Sequence, residues 1–214
     1  AARGGRPALT FHPGTQCTSS AVWAPYIRAA AQIARDAGVR LVRLNVGGGF
    51  PANRDGAPAP WDAHFEAIRT AAQAAFDGAP PPLVCEPGRA LAAEAMSLVT
   101  RVKARDGGTV FLNDGIYGAL SEWRDLGPLA RMTVLSSDGR PRQGGPEPMT
   151  VFGPTCDSLD RLPDLTPLPC DTAEDDFVLI GGMGAYSTAL NTAFNGYGAH
   201  DVVALAAPAM AGHS

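Results

Sequence analysis

Glu86, Pro87, Gly88 and Arg89 place a carboxylate and a guanidinium three residues apart, just past a short apolar run. A carboxylate there can keep a pyridine nitrogen protonated and so make an aromatic ring an electron sink, while the arginine can clamp a phosphate through paired N–H groups. The plainer alternative is a surface ion pair at a loop, worth under about 1 kcal/mol. Upstream, Gly47, Gly48 and Gly49 directly follow the run VRLVRLNV. Glycine lets backbone N–H groups approach an anion closely, with a helix N-terminus behind it, or it simply turns the chain. Phe50 and Pro51 hold that turn in either case. His12 closes a third apolar run, where an imidazole either stacks on a flat ring or serves as a satisfied core histidine, and Thr15 can hydrogen-bond a phosphate or its water shell.

These side chains need a frame that brings several strand ends together. ALTFHPG reads as a strand, after which Ser19 or Ser20 caps a helix through AVWAPYIRAAAQIARDAG. Pro25 is tolerated only in the first turn of that helix, and Gly38 is its stop. VRLVRLNV is a second strand, a Pro/Gly-rich loop leads to a helix over 61–76, and APPPLVCEPGR holds a third, short strand. Such alternation predicts βα units of a parallel sheet, whose C-terminal rim is where (β/α) barrels place their sites. A closed barrel needs about eight strands, so residues 1–95 are read as the C-terminal part of a (β/α) barrel whose other strands lie upstream. From about Met96 the pattern changes to short β-type runs: MSLVTRVKAR, GTVFLND, MTVLSS, PMTVFGP, DFVLIGG and HDVVAL. They predict a mostly antiparallel β domain over 96–214, making the fold class α/β plus β.

With 214 residues, 45% of them hydrophobic, the chain can bury a substantial core. Its net charge of -4 and pI near 5.5 come from scattered acids and bases, so no basic face is available for nucleic acid. No apolar run approaches the roughly 20 residues that span a bilayer, and the first residues lack a hydrophobic region of signal type. The sequence therefore predicts a cytoplasmic protein with neither nucleic acid nor membrane as partner. Cys17, Cys85, Cys156 and Cys170 form no CxxC pair and no metal-type spacing, which predicts free thiols and no metal site. Lys103 is the only lysine.

Taken in order, FHPGT, NVGGGFP, CEPGR, NDGIYG, VFGPTCDSLD and GAYSTALNTAFNGYG resemble the pyridoxal-phosphate-dependent decarboxylases of ornithine, lysine and related diamino acids, which have an alanine-racemase-type fold. The resemblance covers nearly the whole chain, from Phe11 to about Gly198. It implies that pyridoxal 5'-phosphate is the cofactor, that His12 stacks on its ring and that Glu86 meets the ring nitrogen. Gly47, Gly48, Gly49 and Arg89 would hold the phosphate, with Thr15 and Gly88 beside them and Tyr186 as a further contact. The resemblance also implies a homodimer with shared active sites. Cys156 and Asp157 would cross the two-fold interface into the partner's site, the cysteine for protonation control and the aspartate for the distal amine of a diamino acid, with Tyr117 lining the same pocket. Read on their own, Cys156 is a buried small hydrophobe and Asp157 a turn or helix-cap aspartate.

The chain departs from the family in two places. The family's cofactor-bearing lysine lies on an early barrel strand, before the FHPGT-type segment. Lys103, in VTRVKARDGG between Arg101 and Arg105, reads instead as a solvent-facing strand lysine, so the chain alone is expected to be a truncated, inactive form. The acid that helps bind the distal amine some residues after NDGIYG is open between Glu122 and Asp125 in ALSEWRDLG. FGPTCDSLD leans towards ornithine, whose decarboxylation yields putrescine for polyamine biosynthesis. Two other readings stand beside this one: a non-catalytic relative that binds a parent subunit or a regulatory protein, and an unrelated phosphate-binding barrel protein.

Overall fold

The computed structural model describes residues 4–198 and 201–205. Strand β1 (Ala8–Thr10) leads through a 3₁₀ turn (Ser20–Val22) into helix α1 (Trp23–Asp36), then strand β2 (Arg43–Asn45), helix α2 (Trp61–Ala75) and strand β3 (Leu83–Val84). The three strands lie side by side and parallel in the order β1-β2-β3, with Leu9 opposite Leu44 and Leu44 opposite Leu83. The expected βα units are therefore present. Ser19 caps the 3₁₀ turn, its Oγ accepting from the Ala21 N–H at 3.3 Å, and Pro25 sits in the first turn of α1.

On α1, Trp23, Ile27, Ala30, Ala31 and Ala34 recur at helical spacing and form its buried face. This face packs with Leu44, Val46, Phe50, Ile68 and Ala72 in one core under the strands. Helix α1 stops at Gly38, whose φ of +60° suits a residue without a Cβ. The Gly38 N–H reaches the Arg35 carbonyl at 2.9 Å and the Val39 N–H reaches that of Ala34 at 3.0 Å, a Schellman closure.

After a short helix α3 (Gly88–Ala92) the chain builds a second sheet. Its elements are β4 (Ser97–Asp106), β5 (Thr109–Leu112), helix α4 (Trp123–Leu126), β6 (Met132–Leu135), β7 (Pro146–Phe152), β8 (Thr166–Pro169) and β9 (Phe177–Gly181). The spatial order is β6-β9-β4-β5-β7-β8. Every neighbouring pair is antiparallel except β5 and β7, so the sheet is mixed although mostly antiparallel. Strand β4 serves both halves of it, pairing with β9 along its first residues and with β5 along its last. Inward positions alternate with outward ones: Thr100 and Val102 are buried while Arg101 and Lys103 face solvent. Val110, Leu112, Met149, Val151, Leu168, Val178 and Ile180 complete this second core.

One sequence expectation fails here, and one strand lies where no β-type run was read. The run HDVVAL forms no strand over 201–205, where the side chains are exposed, and His200 lies outside the described residues. Its β-branched residues favour a strand only where another strand or a core receives them. Conversely, TPLP forms the edge strand β8, a place where prolines are tolerated because no ladder continues beyond it. Among the described residues no helix is long and apolar enough to cross a membrane.

Candidate active site

The C-terminal ends of β1, β2 and β3 and the start of α3 enclose a cavity of about 570 Å³ lined by His12, Thr15, Gly48, Gly49, Glu86, Gly88, Arg89 and Tyr186, with Phe50, Pro87 and Leu91 as apolar wall. All but one of the residues read from sequence as cofactor contacts thus come together from four separate segments. The exception is Gly47, which stays off the wall. Its N–H donates to the Asn45 side chain at 2.9 Å and its carbonyl accepts from the Glu86 N–H at 2.8 Å. Its part is to join two strand ends, because its amide group is already used.

Each side chain has a local reason for its place. The His12 Nδ1 accepts from the Gly14 N–H at 3.1 Å, which fixes the ring and leaves Nε2 on the cavity side. A Cβ on Gly48 would lie 3.5 Å from that Nε2 and 2.8 Å from the Glu86 carbonyl, so the groove exists only because residue 48 has no side chain. A Cβ on Gly49 would come 2.5 Å from the Gly14 carbonyl oxygen, which pins the two loops together. Glu86 is held by the Asn45 side chain, whose Nδ2 donates to Oε1 at 2.5 Å. Sequence reasoning passed over Asn45, although its place at the end of β2 was the signal that could have found it.

Arg89 is buried at 8% exposure, with Glu122 forked across both of its terminal nitrogens. Its Nη2 also donates to the Thr15 hydroxyl at 3.2 Å, and the Tyr186 ring lies 4.6 Å from the guanidinium carbon. Tyr186 itself has φ of +57°, a left-handed conformation that costs a non-glycine residue energy and recurs at functional sites. Arg54 reaches the same region from the loop after β2, donating to the carbonyls of Leu126 at 3.3 Å and Gly127 at 2.6 Å at the end of α4. Burial pulls its guanidinium below the usual arginine range, with the Glu122 carboxylate opposing that shift and the like charge of Arg89 adding to it.

The two acids considered for a distal amine are placed differently from each other. Glu122 is engaged by Arg89, and Asp125 is an exposed carboxylate beside Arg124. Neither lines the cavity. The pairing of Glu122 with an arginine 33 residues earlier left no local trace in the sequence.

Tyr117, Cys156 and Asp157 form a second group away from the cavity wall. The Tyr117 hydroxyl donates to Asp157 Oδ2 at 2.6 Å, and the Asn195 side chain donates to the Cys156 Sγ at 3.5 Å. Phe194 packs on the Tyr117 ring at 4.5 Å, so the segment that carries Tyr186 into the cavity continues to this group. Cys156 is exposed rather than a buried small hydrophobe. The Tyr117 hydrogen bond, helped by the Leu159 N–H, holds the Asp157 carboxyl below its usual range, while the neighbouring carboxylate pushes the Tyr117 phenol up. A depressed carboxyl contributes stability above its unfolded value and loses it as the pH falls through the folded one. Tyr117→Phe is therefore expected to return Asp157 towards the ordinary aspartate range, which a carboxyl-carbon NMR titration would read.

Residues 8–93 match the pyridoxal binding domain of the pyridoxal-dependent decarboxylases, and residues 55–184 match their C-terminal sheet domain. The chain belongs to the pyridoxal-dependent decarboxylases. This decarboxylase chain is 31% identical over 207 residues to Decarboxylase flvG of Aspergillus flavus, covering 88% of this chain and 47% of that protein. It is 30% identical over 214 residues to the ornithine decarboxylase of Panagrellus redivivus, covering 88% and 48%. The structure of a Vibrio vulnificus lysine/ornithine decarboxylase complexed with cadaverine superposes with a TM-score of 0.70 at 31% identity, covering 89% of this chain and 52% of that one. The decarboxylase chain thus spans about half the length of the relatives it matches.

Pyridoxal 5'-phosphate is the cofactor of this family. The cavity fits it: a groove that a Cβ at residue 48 would fill lies between a carboxylate suited to a ring nitrogen and an imidazole suited to a ring face. Lys103 stands on the outer face of β4 and is not among the residues of the cavity wall.

Proposed function

We propose that these residues form the cofactor-binding and substrate-recognition part of a decarboxylase of a basic amino acid, with ornithine as substrate and putrescine as product. The reading is carried by one observation: His12, Glu86, Arg89 and Tyr186 meet in a single cavity. When bound, pyridoxal 5'-phosphate supplies an electron sink for the bonding pair left by a departing carboxylate. Glu86, fixed by Asn45, would donate or share a proton at the ring nitrogen, and His12 would cover the ring face. Thr15, Gly48, Gly49, Gly88, Arg89 and Tyr186 would surround the phosphate. Asp157, oriented by the Tyr117 hydroxyl, would bind the substrate's distal ammonium, and the exposed Cys156 thiol would return a proton to carbon. Their separation from this chain's own cavity suits service in a neighbour's cavity across a symmetric dimer.

Because the only lysine lies outside the cavity, the 214-residue chain alone is expected to bind the cofactor reversibly and to release no CO2. Absorbance and tryptophan-fluorescence titration with pyridoxal 5'-phosphate tests this: saturable, dialysable binding, weakened about tenfold or more by Glu86→Gln or Arg89→Ala. Variants that bind as tightly as the parent would defeat the assignment. In a protein joining these residues to a lysine-bearing barrel half, Asp157→Ala should raise KM for ornithine about tenfold and spare cofactor affinity. The same lysine placement favours a second reading, a non-catalytic relative that pairs with a complete subunit. Heterodimers lacking the activity of the chain's own site in the joined protein would support it.

A further inference from the structure

The contact that the family resemblance does not account for is the fork between Glu122 and Arg89. Among the described residues Arg89 is the one guanidinium on the cavity wall, and it is buried. Glu122 takes its outer edge through both terminal nitrogens from behind the wall, and Thr15 accepts one further hydrogen from Nη2 on the cavity side. Tyr186 covers one face of the group. What a phosphate can still reach is the edge formed by Nε and Nη2, where the Thr15 hydroxyl now sits. The carboxylate also cancels the arginine's charge close to where the anion would lie, in surroundings that screen poorly since the Glu122 side chain is itself 16% exposed. Glu122 is the N-cap residue of α4, and Arg54 grips the carbonyls of Leu126 and Gly127 at the other end of that helix, so the carboxylate is built into the frame rather than free to swing away.

Building on the reading of this cavity as a phosphate-bearing cofactor's site, we propose that Glu122 is a resident counter-charge that attenuates the cavity's affinity for phosphate. It holds Arg89 by one edge and leaves the anion a single edge of a neutralised pair. Glu122 thus governs how tightly the anionic end of the cofactor is gripped, a role separate from recognition of a distal amine.

Glu122→Gln keeps an oxygen to brace Arg89 and removes the negative charge, whereas Glu122→Asp keeps the charge on a shorter arm. In the 214-residue chain, dissociation constants for inorganic phosphate, pyridoxal 5'-phosphate and unphosphorylated pyridoxal separate the effects. Glu122→Gln should tighten phosphate and pyridoxal 5'-phosphate about tenfold and leave pyridoxal unchanged, while Glu122→Asp stays within about threefold of the parent. Should the glutamine variant not fold, Glu122→Ala carries the test with the same expected sign. A glutamine or alanine variant that folds and binds phosphate no better than the parent, or worse, makes Glu122 a brace and overturns the proposal. If phosphate tightens but pyridoxal 5'-phosphate binds no better than inorganic phosphate, the attenuation stands and the cofactor reading falls. Specific cofactor binding that is indifferent to Glu122→Gln has the opposite meaning.

Discussion

Gly47→Ala is expected to cost about 4 kcal/mol of folding stability, a large share of the roughly 5–15 kcal/mol that holds a domain together. Gly47 has φ of +72°, which alone charges an alanine about 1 kcal/mol. The larger part is steric. A Cβ there would run into the Phe11 carbonyl oxygen, with the His12 Cα at 3.0 Å and the Phe11 carbonyl carbon at 3.1 Å, and all of these are backbone atoms. No side chain can rotate to relieve the overlap, so β1 and β2 must separate at the rim. Because the Gly47 carbonyl also accepts from the Glu86 N–H, that separation would carry Glu86 away from His12. Gly107→Ala is the matched control, with φ of +53° and nothing within 4 Å of the new carbon, and should lose only about 1 kcal/mol. Urea unfolding followed by far-ultraviolet circular dichroism compares the two. Equal losses would show that the β1 and β2 loops yield easily, and that the rim is not a rigid frame for the site.

The same residue shows what could and could not be read from the sequence. A glycine triplet after an apolar strand is visible as a place where backbone approaches something closely. The sequence suggests an anion; the structure adds that Gly47 and Gly49 are demanded by the carbonyls of Phe11 and Gly14, and that Gly48 opens the groove. Helix limits were legible because their signals are local: Ser19 before the first turn, and Gly38 after the last. Strand β8 was not, since its threonine–proline run carries no alternation and depends on its edge position against β7. HDVVAL had propensity and no partner among the described residues.

Contacts between distant parts of the chain were the least legible. The motifs brought His12, Glu86, Arg89 and Tyr186 to attention one by one, yet their common cavity depends on the β1-β2-β3 order and on residues past β9 returning to α3. The Gly184 N–H reaches the Ala93 carbonyl at 2.8 Å and the Met183 N–H that of Met96 at 2.9 Å, and these bonds deliver Tyr186 to Arg89. Glu122 and Arg54 are ordinary charged residues in sequence, and their meaning comes from burial and from which carbonyl or guanidinium each one meets.

His64 makes the same point and carries the second large prediction. It is the fourth residue of α2 and is fully buried, with its ring edge-on to Trp23 at 5.3 Å. Nδ1 lies 2.7 Å from the Pro60 carbonyl oxygen and Nε2 lies 2.9 Å from that of Cys17. Cys17 belongs to the loop that holds Thr15, and its N–H donates to the Gly49 carbonyl at 2.8 Å, so the imidazole supports the cradle from beneath. Removing the ring opens a void beside Trp23 and takes the imidazole from the Cys17 carbonyl, whereas the Pro60 carbonyl keeps the His64 backbone N–H at 3.3 Å. The void and the lost contacts together make His64→Ala cost about 4 kcal/mol. His64→Gln fills part of the volume, and its amide can still donate to the Cys17 carbonyl, so it should recover about 1–2 kcal/mol. Loosening the Cys17 loop would also release the Gly49 carbonyl and shift Thr15 and Gly49 on the cavity wall, which should weaken phosphate binding in the alanine variant more than in the glutamine variant. Chemical unfolding and a phosphate titration read the two effects separately. An alanine variant matched in both by the glutamine variant would mean that ring volume, and not the bond to Cys17, is what the cradle stands on.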